Sequence, residues 1–166
     1  MSHSHVLRAG FAALGLLALA SSAASAHDYK LGDLSIGHPW SRATPAGARV
    51  AAGYLSITNS GAAPDRLVAV ESPAAARVEI HESSEKDGVA TMRPVEAIAV
   101  APGETVKLAP GGYHLMFMQP KVPFKQGHRV EGTLRFEKAG TVAVVFHVEG
   151  IGAQGGGDSG HGGHNH

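Results

Sequence analysis

Cysteine is absent from all 166 residues of this chain. That absence removes disulfides, thiolate metal sites and cysteine nucleophiles together. Neither charge is in excess: Lys+Arg and Asp+Glu each number 14, so no basic surplus exists to neutralise phosphates, and nucleic acid is not an expected partner. Aromatic residues make up only 5% of the chain, which leaves the core to Val, Leu, Ile and Ala. Methionine is scarce as well, at 4 including Met1. No repeat of fixed period stands out, and no convincing helical period runs between Leu31 and Gly150. Histidine is what the chain has in quantity, with 11 copies, and it becomes the main chemical resource.

The only long apolar run lies at the start. Arg8 is followed by the stretch from Ala9 to Ala20 and then by Ala24-Ser25-Ala26, the pattern of a secretory signal with an A-x-A cleavage site. The run is too short to span a bilayer. Residues 1–26 are therefore expected to be removed, which places the protein in an oxidising space outside the cytoplasm, where a site without thiols cannot be lost to disulfide formation. The new amino terminus would be His27, whose amine and imidazole could chelate a metal together.

From residue 27 to 150 the pattern is that of a single all-β domain. Short apolar alternations are cut by turn residues at regular intervals, as in a sandwich or barrel. Strands are expected around Leu34–Ile36, Gly53–Thr58, Asp65–Glu71, Arg77–His81, Val89–Arg93, Thr105–Leu108, Tyr113–Gln119, Val130–Phe136 and Thr141–Val148, about eight or nine in all. Asp87-Gly88 favours a tight hairpin turn between two of them. The final strand is apolar on nearly both faces and is expected to be central. Beyond it, residues 151–166 form a Gly/His-rich tail that cannot bury enough apolar surface to order itself. Its histidines, His161, His164 and His166, are spaced as a metal-binding tract rather than a run.

The strand ending in Gln119-Pro120 carries the chemistry. Period two puts His114, Met116 and Met118 on one face, with Leu115 and Phe117 on the other. Met92 stands on the outgoing arm of the hairpin whose incoming arm holds His81. The count is His81, ten residues, Met92, twenty-one residues, His114, one residue, Met116. Two imidazoles and two thioethers define a soft site: Ca(II) and Mg(II) want oxygen, Zn(II) takes Cys, His or carboxylate, and thioethers select Cu(I). A blue-copper centre needs a thiolate, which this chain lacks. Met118 shares the face but is expected in packing or beside the ligands, and His38, His128 and His147 are expected to be ordinary solvated or hydrogen-bonded histidines.

That spacing resembles the motif of the periplasmic copper chaperones of the PCu(A)C family, which His81, Met92, His114 and Met116 match without a gap. The stretches Pro39-Trp40-Ser41-Arg42-Ala43-Thr44-Pro45, Met92-Arg93-Pro94-Val95-Glu96 and Gly111-Gly112-Tyr113-His114-Leu115-Met116 are similar to that family too. The resemblance implies a cupredoxin-like Greek-key β-barrel or sandwich. It also implies a monomeric chaperone delivering Cu(I) to copper-centre assembly, with cytochrome c oxidase subunit II or another copper-assembly protein as recipient. Some members carry a second Met directly after the first motif histidine, where this chain has Glu82. The tail resembles C-terminal extensions thought to bind Cu(II). The alternative is a copper-storage or copper-tolerance protein of the same compartment. An enzyme is not expected: His81-Glu82-Ser83-Ser84-Glu85 departs from the zinc-protease His-Glu-x-x-His at its fifth residue and runs into a turn.

Overall fold

The computed structural model describes residues 28–155. The expected signal segment 1–26, His27 and the tail histidines His161, His164 and His166 lie outside the described residues. Within them the chain is all-β, with eleven strands. These are β1 (Tyr29–Leu31), β2 (Leu34–Arg42), β3 (Val50–Asn59), β4 (Asp65–Glu71), β5 (Ala75–Lys86) and β6 (Val89–Pro94), followed by β7 (Ile98–Val100), β8 (Thr105–Leu108), β9 (Tyr113–Pro120), β10 (Arg129–Phe136) and β11 (Gly140–Glu149). The count exceeds the expected eight or nine because β1 and β7 are three residues each, too short to show an alternation.

The strands join in one ladder, in the order β6-β5-β9-β3-β2-β11-β10-β4-β7, with β1 on β2 and β8 on β3. Its ends do not pair, so the molecule is an open sandwich rather than a closed barrel. The sheet nevertheless curls over itself: Phe117 on β9 meets Phe146 on β11 edge to face, with centroids 5.4 Å apart, although two strands separate them in the ladder. Leu67, Leu115, Leu134 and Val144 complete one fully buried core with them. Burying each such side chain contributes about 1.5–3 kcal/mol relative to leaving it exposed.

β11 is central, between β2 and β10, with Val144, Phe146 and Val148 turned inward. β2 and β11 pair in parallel, the one parallel pairing among the described strands. Two local features set the sheet around β9. Gly53 on β3 lies against Phe117, where an added Cβ would come within 2.6 Å of the ring. At the β5–β6 turn, Asp87 and Gly88 have φ of 53° and 77°, the left-handed pair a tight hairpin requires. The hairpin is longer than the sequence suggested, since β5 continues past His81 to Lys86.

Candidate metal centre

β9 and the β5–β6 hairpin stand side by side at one end of the ladder. Their antiparallel register sets His81 opposite His114 and Glu79 opposite Met116. On the hairpin, Ser83 lies opposite Met92 and His81 opposite Pro94. Opposed residues share a face, and so do residues two apart on a strand. His81, His114, Met116 and Met92 therefore all project from one face, the one turned away from Leu115 and Phe117. Met118 is there too, opposite Arg77.

The two histidines come together as a pair, with ring centroids 5.9 Å apart. His114 is buried, at 5% exposure, and the His81 side chain is 13% exposed. Each ring has one nitrogen engaged. Nδ1 of His114 lies 3.0 Å from the carbonyl oxygen of Gly112, which can only accept, so Nδ1 carries the proton. Nε2 of His81 lies 2.9 Å from Oε2 of Glu79, a carboxylate, and donates to it. The other nitrogen of each ring, Nε2 of His114 and Nδ1 of His81, is buried without a hydrogen-bond partner. In the neutral imidazoles these are bare lone pairs. A buried acceptor left unpaired costs about 1–3 kcal/mol, so two in one place need a reason.

Ligation supplies one. A metal-bound histidine as a rule donates its remaining N–H to a carboxylate or backbone carbonyl, which fixes the tautomer and aims the lone pair. Both partners occur here. Among the described residues no group of three His, Cys, Asp or Glu gathers. Met116 lies two residues beyond His114 on β9, and Met92 on β6 stands opposite Ser83, two residues beyond His81, both on the face of the imidazole pair. Met92 is 55% exposed, on a strand whose six residues are all exposed. The structure thus sets all four motif residues on one face and joins the two histidines, with Met92 on the open side.

Glu82 is one residue out of phase and turns to the other face, opposite Tyr113 and Arg93. It pairs with the Arg93 guanidinium. His38 is half exposed and meets Oε1 of Glu149 at 3.2 Å, as an ordinary hydrogen-bonded histidine does. His128 is exposed.

Sequence reasoning gave no role to Glu79, although Arg77, Glu79 and His81 alternate on one face of β5. Oε1 of Glu79 accepts from Nε of Arg77 at 2.6 Å. The His81 N–H first, and then Arg77, hold the Glu79 carboxyl below its ordinary pKa. It also assigned nothing to the aromatic pair on the far side of β9. Ala52 on β3 faces Met116, so Tyr54, two residues on, shares the site's face, and Trp40 lies opposite Tyr54. Their centroids are 4.4 Å apart and both are 4% exposed, outside the central core. Arg42 lies over both rings and donates from Nε to the carbonyl of Ala153 at 2.7 Å. Burial pushes the Tyr54 phenol's pKa up against the opposing pull of Arg42. The packed chain thus runs past Gly150, and Gly155 lies against the Trp40 indole, with no room there for an added Cβ.

Residues 34–148 match the family model described as "Putative lipoprotein LpqE-like". A relative from Leifsonia xyli subsp. xyli (strain CTCB07), "Putative lipoprotein Lxx21020", is 32% identical over 117 residues, which cover 70% of this chain and 69% of that protein. Among solved structures, the copper-bound PCuAC domain from PmoF2 is similar with a TM-score of 0.64 and 34% identity, over 75% of this chain and 98% of that one. The solution structure of CuI-DR1885 from Deinococcus radiodurans is similar with a TM-score of 0.59 and 26% identity, over 82% of this chain and 89% of that one.

Proposed function

Because the chain belongs to the LpqE-like family and shares its fold with PCuAC domains, we propose that it is an exported copper chaperone. It takes Cu(I) as cargo through His81, Met92, His114 and Met116. The observation that carries this reading is the pair of buried, unpartnered ring nitrogens on His81 and His114, each with its other nitrogen held by an oxygen acceptor. Two nitrogen donors flanked by thioethers suit a soft monovalent ion. Neutral thioethers hold such an ion less firmly than thiolates would, which suits transfer.

The position of Met92 favours passing the ion on over storing it. A ligand exposed on an edge strand lets an acceptor displace it first, while the buried histidines still hold the ion. A structural or storage site would more naturally be closed. The recipient we propose is a copper-centre assembly step of respiratory oxidase, with the tail histidines His161, His164 and His166 taking Cu(II). Export follows from the signal-like segment and from the lipoprotein descriptions of family and relative. The sequence holds no cysteine on which a thioether-linked lipid could be carried. A non-catalytic role fits the site, where the Glu79 carboxylate and the Gly112 carbonyl are each engaged by an imidazole.

The deciding experiment is X-ray absorption of the Cu(I)-loaded protein, followed by incubation with a copper-free oxidase subunit II domain. Mixed nitrogen and sulfur ligation and transfer of the ion are expected. An all-nitrogen shell would refute the ligand set, and retention of Cu(I) against every acceptor would turn the reading to storage.

A further inference from the structure

Two acceptors hold the two histidines, and they differ in kind. The carbonyl of Gly112 belongs to the backbone and comes with the fold. The Glu79 carboxylate is a side chain, 31% exposed, that would ordinarily sample several rotamers in water. It is pinned from both sides, since one oxygen accepts from Arg77 at 2.6 Å and the other from His81 at 2.9 Å. Arg77, Glu79 and His81 form a ladder along one face of β5, with Glu79 opposite Met116.

We infer that Glu79, braced by Arg77, is the positioning residue for His81: it holds the imidazole as the Nε2–H tautomer and aims Nδ1 at the copper ion. The inference rests on the proposed role of His81 as a ligand. It makes the two histidines inequivalent, His81 offering Nδ1 and His114 offering Nε2. Those two atoms are the buried ring nitrogens without a hydrogen-bond partner. A surface ion pair contributing only to stability would not require the second nitrogen of its histidine to be buried and bare. Glu82, adjacent to His81 in the chain, cannot substitute, because it faces the opposite side and pairs with Arg93. Once bound, the cation also gains from the carboxylate charge carried through the imidazole, which raises the basicity of the ligating nitrogen.

The test uses the full-length chain labelled with ¹⁵N. Long-range ¹H–¹⁵N correlation reads the protonated ring nitrogen of His81, assigned by comparison with His81→Gln. In the apo wild type a single Nε2–H tautomer is expected, and Cu(I) should shift Nδ1. Glu79→Ala should show both tautomers and bind Cu(I) about tenfold or more weakly by chelator competition, in line with the usual effect of removing such a partner. Glu79→Gln, which keeps an oxygen acceptor, should recover most of the affinity, and Arg77→Ala should fall between. Far-UV circular dichroism confirms that each variant is folded. The inference is overturned if Glu79→Ala binds Cu(I) within twofold of wild type, or if copper shifts Nε2 of His81. If Cu(I) shifts neither nitrogen in the wild type, the ligand assignment of His81 is what fails, and the apo tautomers of wild type and Glu79→Ala still decide whether Glu79 holds the ring.

Discussion

His81 on β5 and His114 on β9 are directly opposed in the register, and each presents a bare ring nitrogen, one Nδ1 and one Nε2. In the proposed site, loss of either imidazole removes half of the nitrogen donors. His114→Phe fills the same buried position with an apolar ring and removes an unpaired acceptor, so the fold should be kept. Cu(I) affinity should fall by about a hundredfold or more, an expectation of about 2.8 kcal/mol at 1.4 kcal/mol per tenfold. Competition against a Cu(I) chelator measures it, and unchanged affinity would remove His114 from the ligand set.

Met116→Leu is nearly volume-conserving, so the apo protein should lose less than about 1.5 kcal/mol. Met92→Ala, on the exposed edge strand, should change stability by no more than about 0.5 kcal/mol. Both should weaken Cu(I) by an order of magnitude or more and remove sulfur from the X-ray absorption shell. Full sulfur ligation in either variant would return that methionine to packing.

Gly53→Ala tests the packing that aligns β3 with β9. The new Cβ would meet Phe117 at 2.6 Å, well inside van der Waals contact, with β-sheet backbone on both sides. A loss of about 1–3 kcal/mol is expected, as for overpacking elsewhere. Urea unfolding monitored at Trp40 reads it, and stability equal to wild type would mean that the ring can move aside.

Asp65 ties β4 to the β10–β11 turn: its carboxylate accepts from the backbone N–H groups of Arg66, Lys138 and Ala139 at 2.8–3.0 Å. Burial works to raise its pKa, but the three donors together outweigh it, and the pKa lies below the ordinary 3.8. A carboxyl depressed on folding contributes stability that is present above the unfolded pKa and is lost as pH falls through the folded one. Asp65→Asn should therefore cost about 1–3 kcal/mol at pH 7. The gap to wild type should shrink below about pH 4, near the unfolded pKa. Denaturant unfolding at pH 7 and pH 3 compares the two, and a gap that widens on acidification would contradict the assignment.

Truncation after Gly155 should remove Cu(II) capacity and leave the Cu(I) site untouched, by titration with each ion. Truncation after Gly150 should in addition expose Trp40, because it removes the carbonyl of Ala153 that Arg42 grips and the glycine that lies on the indole. The protein has a single Trp, so its emission should shift to the red only in the shorter form. Identical emission from both would mean that residues 151–155 do not cover the ring.

Much of the β architecture was legible because it is written locally. Thr105–Leu108 and Asp65–Glu71 begin and end where the apolar alternation and turn residues place them. The strands that went unseen, β1 and β7, have three residues each, and no alternation is readable over three positions. Trp40 and Arg42 stood in a stretch quoted for its resemblance, but their stacking with Tyr54 joins β2 to β3 across a bulge in β2 between Gly37 and Trp40. Glu79 could have been found from its two-residue spacing to His81, yet a carboxylate on a strand face is ordinarily solvated and gives no signal by itself.

The sequence by itself determined the donor types, their spacing and the face each occupies, because a strand's period of two is a local property of the backbone. It also determined that no thiolate could take part. Only the tertiary structure decided that β5 and β9 are neighbours and that their register opposes His81 to His114 rather than to Tyr113, which a slip of one residue would have brought to the opposite face. Register depends on core packing and turns far apart in the chain. The choice of bare nitrogen on each ring, the grip of Glu79 and the exposure of Met92 all follow from that pairing, since each is set by what stands across the gap between strands.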